Sequence, residues 1–167
     1  MLMHVLAWTT SGFAPFRMFA NFNRALTFKQ GPATPVQSPI PAYASPTTRS
    51  EIFRMFAYLE DPRHSSGPGI APFTWHVFDE SKPFGISSCG NIEVTPLPVQ
   101  HGRDHAPVRQ PYISMGFRIA DFSYISDVSF IPQDTREKLN GTRILVLDAL
   151  RERRHSSHFN FDEVFTE

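Results

Sequence analysis

The chain has 167 residues, of which 41% are apolar and 13% aromatic, enough for one compact domain with a core of its own. Sixteen basic and sixteen acidic residues cancel, which argues against a nucleic-acid or membrane-surface binder held by bulk electrostatics. Cys89 is the single cysteine, so an intramolecular disulfide and a thiolate-rich zinc site are both excluded, and a reducing, cytoplasmic setting is the expectation. Any metal would have to be held by histidine and carboxylate.

The opening run Met1 to Trp8 is apolar, but a bilayer span needs roughly 20 such residues, so no membrane partner is expected. The first fifty residues contain no Asp or Glu, only Arg17, Arg24, Lys29 and Arg49 as fixed charges. That composition suits either a mitochondrial leader or a loosely ordered segment of chance composition. Five of the fifteen prolines fall between Gly31 and Pro46, marking a linker or an extended crossing strand. The expected division is an unassigned segment over 1–35 and one domain over 36–167.

Thr48 followed by Glu51 reads as a capping box, and Ile52, Phe53, Phe56 and Leu59 share a helical face. A helix from about Arg49 to Tyr58 is predicted. His64 to Gly69 is a turn-rich loop, and Phe73 to Phe78 alternates as a strand does. Further strands are predicted at Ile92 to Leu97 and Tyr112 to Ile119. The second of these turns through Ala120 and Asp121 into Phe122 to Ser126, a hairpin signal. Pro132 to Leu139 suits a short helix with proline in its first turn and Asn140-Gly141 as its stop. Ile144 to Leu147 is a continuous apolar run, predicting a strand buried on both faces. Asn160 with Glu163 offers a capping box for a last helix. Strands alternating with helices predict an α/β fold with helices flanking a layered sheet core.

His101 ends the run Pro96-Leu97-Pro98-Val99-Gln100, and Asp127 ends Tyr124-Ile125-Ser126. Adjacent strands could deliver both to one metal, although His101 could equally be a core-edge residue and Asp127 a turn cap. Asp148, after the apolar run, suits a helix cap or a functional role. His155 and His158 lie three residues apart among Arg151, Arg153 and Arg154, a pattern that suits either an anionic substrate or a solvated basic loop. His4, His64, His76 and His105 lack motif support.

Taken together, Val94 to Gly102, Tyr112 to Ile119, Tyr124 to Ser129 and Leu145 to Leu150 with His155 to Phe159 resemble the metallo-β-lactamase-fold hydrolases. Within them, the pattern is most similar to the branch of the phosphonate-pathway cyclic phosphodiesterase and its fungal relatives. Ile40 to Thr48 with Met55 to Leu59 resembles the segment before the family's third metal motif, so the resemblance runs from about Val36 to Phe161. It implies a four-layer αββα sandwich, incomplete here. It also implies zinc or manganese ions that activate water against a phosphodiester or related anionic ester. By the same resemblance His101 is a metal ligand, Asp127 the metal-bridging carboxylate, and His155 and His158 belong to the substrate rim.

The family's His-x-His-x-Asp-His string occurs nowhere in the sequence, and Trp8-Thr9 resembles the residues that follow it in relatives. The expectation is therefore a chain that starts after its metal-binding loop and stops before the family's final histidine ligand. Such a chain would be inactive, or a non-catalytic remnant with a structural or binding role, and its exposed sheet edges would favour self-association.

Overall fold

The computed structural model describes residues 40–60, 73–103 and 109–166. The expectations for residues 1–35, the His64 to Gly69 loop and His105 fall outside these. Two compact units meet in sequence between Phe78 and Asp79.

In the first unit, β1 (Ile40–Ala44) pairs in parallel with β2 (Phe73–Val77), with Tyr43 opposite His76. Their rings stack at 4.7 Å, so His76 is accounted for as a sheet residue. Helix α1 spans Pro46–Met55, starting three residues earlier than the sequence reading. Ser45 is its N-cap, with the hydroxyl accepting from the Thr48 amide at 3.3 Å, and Pro46 supplies a preset φ in the first turn. Glu51, freed from any capping box, pairs with Arg54 at 2.8 Å. Ile52 and Phe53 are buried, and Phe53 meets Trp75 of β2 edge-on at 5.2 Å.

The second unit holds a five-stranded sheet in the order β3 (Phe84–Ile86), β4 (Ile92–Arg103), β5 (Pro111–Ile119), β6 (Phe122–Ile125) and β7 (Ile144–Leu147). All neighbours are antiparallel except β6 and β7. The predicted hairpin closes with Ile119 opposite Phe122, and Ala120 takes the left-handed conformation at φ 52°. Along β4 the residues Leu97, Val99 and His101 alternate onto one buried face. Leu97 and Val99 pack with Ile125, Val128, Ile131 and Phe159 as the core of this unit, backed by Leu139, Leu147 and Val164.

Helix α2 (Gln133–Lys138) docks on β4 through the Thr135 hydroxyl, which donates to the Pro98 carbonyl at 2.5 Å. Helix α3 (Phe161–Val164) begins with the predicted capping box: the Asn160 side chain accepts from the Glu163 amide, and the Glu163 carboxylate accepts from the Asn160 amide. The apolar run of β7 departs from expectation. Ile144, Leu145 and Val146 are 59%, 44% and 42% exposed, because the strand closes one end of the sheet and pairs only with β6 among the described residues. An apolar run identifies a strand but not what covers it. No helix of the described residues is long and apolar enough to cross a membrane.

Candidate metal centre

Three chain segments of the second unit converge at the end of β4. The β4–β5 register shifts between Gln100 and Arg103, and Gln100, paired with Ile113 of β5, also bridges to Phe130. At that shift Gly102 takes φ 70°, and its amide donates to the Ser129 hydroxyl at 2.9 Å. The ladder resumes at Arg103 opposite Pro111, and His101 lies within the irregularity, continuing the buried face of Leu97 and Val99 and only 4% exposed.

Asp127 follows β6, and its carboxylate accepts from the Ser126 hydroxyl at 2.7 Å. The next residue, Val128, is fully buried, which anchors the loop carrying that carboxylate. His158 lies on the loop between β7 and α3. The Phe159 amide donates to the Val128 carbonyl at 2.7 Å, and the Leu150 amide donates to the Phe159 carbonyl at 3.1 Å. The loop is thus stitched to the segment bearing Asp127.

His101, Asp127 and His158 each place one donor atom within 4.8 Å of the others. The His158 ring stands edge-on to that of His101, centroids 4.6 Å apart. His155 is a further neighbour of that ring, its centroid 5.1 Å away. Two imidazoles and a carboxylate in a largely buried setting, with no thiolate, form a donor set that suits zinc or manganese. His101 and Asp127 thus lie close together, although the strands that lead to them are separated by β5 and not adjacent as expected.

His155 and His158 do not share a helical face, since the segment between Arg151 and Asn160 is a bridged loop. The His155 Nδ1 accepts from the Ser157 amide at 3.3 Å and contacts the Ser157 hydroxyl at 3.2 Å. Its pKa is held below the ordinary histidine value, first by burial and then by the positive charge of Arg151. The arginine cluster is largely engaged within the loop. Arg151 donates to the Arg153 and Arg154 carbonyls, and Arg154 pairs with Glu163 at 3.1 Å.

Asp148 caps no helix. One carboxylate oxygen lies 2.6 Å from His158 Nδ1 and accepts from the Val128 amide at 3.2 Å. The sequence held a partial signal for this. The strand ending at Leu147 and the capping box at Asn160 bound a short loop, which must return His158 towards Asp148.

His101 on β4, Asp127 after β6 and His158 on the return loop lie close enough together that they could hold a divalent cation. Residues 25–166 match the family model described as "Beta-lactamase superfamily domain", and the chain belongs to that family. Among solved structures it is similar to one titled "Crystal Structure of a New Diphosphatase from the PhnP Family", with a TM-score of 0.59 and 25% identity over 77% of this chain and 42% of that one. The α/β metallo-β-lactamase-like fold agrees with both matches, and the branch resembled by the sequence motifs with the second. The chain spans less than half the length of that neighbour. No curated protein matches it.

Proposed function

We propose that the chain is part of a metal-dependent hydrolase acting on a phosphodiester, diphosphate or related anionic ester. In this reading His101 and Asp127 hold a zinc or manganese ion, and His155 and His158 serve the substrate side. The observation that carries it is the convergence of His101, Asp127 and His158 within 4.8 Å, in a chain whose solved neighbour is named a diphosphatase. A divalent cation there supplies Lewis-acid polarisation of a phosphoryl oxygen.

The protein's own groups do the rest. The Asp127 carboxylate, held by the Ser126 hydroxyl, brings the negative charge that a cation needs for neutralisation. The His158 Nδ1 is occupied by Asp148, so Nε2 is the nitrogen left for the substrate side, where its lone pair can accept from the attacking water or a phosphate hydroxyl. His155 packs against the His158 ring at 5.1 Å, and burial holds its pKa below the ordinary histidine value. The string His-x-His-x-Asp-His is absent from the 167 residues, and this favours a second reading, a chain that binds cation and phosphate without turning substrate over.

Titration of the purified chain with Mn²⁺ is the test. Saturable binding that disappears in His101→Ala and Asp127→Ala supports the assignment. In His158→Ala the cation should still bind while inorganic phosphate no longer binds to the Mn²⁺-loaded chain. Absence of saturable Mn²⁺ binding, or binding indifferent to His101→Ala, would overturn it. Hydrolysis of bis(p-nitrophenyl) phosphate that depends on His101 would exclude the binding-only reading.

A further inference from the structure

We infer that Asp148 is a positioning residue: it holds His158 as the tautomer with the proton on Nδ1, leaving Nε2 as the nitrogen presented to the site. The substrate-facing role of His158 rests on the function proposed above. The tautomer does not.

The His158 Nδ1 and the Asp148 carboxylate are 2.6 Å apart, with their side chains only 19% and 10% exposed. A carboxylate accepts and cannot donate when ionised, so the proton in this bond sits on Nδ1. The same oxygen accepts from the Val128 amide at 3.2 Å, and Val128 directly follows Asp127. One atom therefore references both His158 and the Asp127 loop.

A purely structural role does not account for this carboxylate. The backbone already joins the three segments: Asp148 amide to Ile125 carbonyl at 3.0 Å, Phe159 amide to Val128 carbonyl at 2.7 Å, and Leu150 amide to Phe159 carbonyl at 3.1 Å. Those bonds fix where the His158 backbone lies but not which way its ring faces. The ring has His101 at 4.6 Å and His155 at 5.1 Å, and the hydrogen bond that tells one ring nitrogen from the other is the one from Nδ1 to Asp148. A ring flip would exchange Nδ1 for a carbon and leave the partly buried carboxylate without its strongest donor, at a cost that burial makes large. Asp148 thus selects one ring orientation, as carboxylates behind metal-site histidines commonly do.

The experiment uses the full chain labelled with ¹⁵N-histidine, and long-range ¹H–¹⁵N spectra recorded without metal. The expected result is a protonated Nδ1 and an unprotonated Nε2 for His158. In Asp148→Asn the side-chain oxygen can still accept from Val128, but the charge is gone. The tautomer should shift towards Nε2–H, turning Nε2 from an acceptor into a donor, with Mn²⁺ affinity little changed. His158 protonated on Nε2 in the unaltered protein would overturn the inference. So would an Asp148→Asn variant in which the tautomer stays the same. If the unaltered chain binds no Mn²⁺, the proposed function fails while the metal-free spectra still decide the role of Asp148. Asp148→Ala is the more severe variant, and should it fail to fold, Asp148→Asn carries the decision.

Discussion

Gly102 stands directly against Ser157: a methyl group added at Gly102 would come within 2.8 Å of Ser157 Cβ and 3.3 Å of its Cα. These two residues adjoin His101 and His158, so the separation of the two imidazoles depends on glycine at this point. The backbone adds a second demand, because φ at Gly102 is 70°. Gly102→Ala should cost about 1–3 kcal/mol from the backbone conformation alone, and more from the clash. Urea unfolding would measure it. Adding Ser157→Gly should recover the clash component and leave the backbone component, a non-additivity that a double-mutant cycle reads directly. Full recovery would show that the left-handed conformation at Gly102 is not required.

Arg118 joins two ends of the second unit. Its Nε donates to the Ala120 carbonyl at 2.7 Å, inside the β5–β6 turn, and Nη1 donates to Lys138 and Asn140 carbonyls at the end of α2. A cation at a helix C-terminus also opposes the helix dipole. Arg118→Met should cost about 1–3 kcal/mol in urea unfolding. Arg118→Lys should rescue little, since an ammonium group lacks the planar fork that reaches three carbonyls at once. A lysine variant as stable as the parent would show that charge, rather than the fork, is what matters.

The sequence made local structure legible and left tertiary partnership hidden. The predicted strand stopped at Leu97, whereas β4 carries the alternation of Leu97 and Val99 on to His101, and Asn160 with Glu163 announced their own capping box. Thr48 misled because Ser45-Pro46, three residues earlier, satisfies the same cap chemistry with proline already set for the first turn. Asp148 was undecidable, since an aspartate after a strand serves equally as a cap or as a partner to something distant. Its actual partners, Val128 and His158, lie 20 and 10 residues away. The apolar run of β7 announced a strand correctly, yet its exposure depends on neighbours that no local pattern encodes.

Asp79 should titrate well below an ordinary aspartate. Its carboxylate accepts from the Ser81 hydroxyl at 2.6 Å and the Ser81 amide at 2.9 Å, with Lys82 at 3.2 Å, and its pKa is lowered to about 2. The largest cause is the Ser81 hydroxyl. Because the folded value lies below the unfolded one of about 3.9, the contribution to stability is present above that pH and is lost as the pH falls towards 2. A carboxyl-detected NMR titration should find the low midpoint. Ser81→Ala should move it upwards, and an unmoved midpoint would assign the shift to Lys82 instead.

Leu97 and Val146 make a paired test of where this sheet's stability resides. Leu97 is fully buried at the centre of the core, so Leu97→Ala should cost about 2–5 kcal/mol. Val146 is 42% exposed on β7, and Val146→Thr should stay within about 0.5 kcal/mol. The exposed residues of that strand have a second consequence. Register places Phe122 beside Ile144 and Tyr124 beside Val146, so four half-exposed apolar side chains lie together at the end of the sheet. Exposed apolar strands at a sheet edge invite pairing between chains, and charged side chains there oppose it. Concentration-dependent association is therefore expected in sedimentation velocity, and Ile144→Lys with Val146→Lys should abolish it while leaving the unfolding midpoint nearly unchanged. A parent chain that sediments as a monomer at every concentration would refute the association, and a double variant that unfolds would show that β7 is more deeply integrated than its exposure indicates.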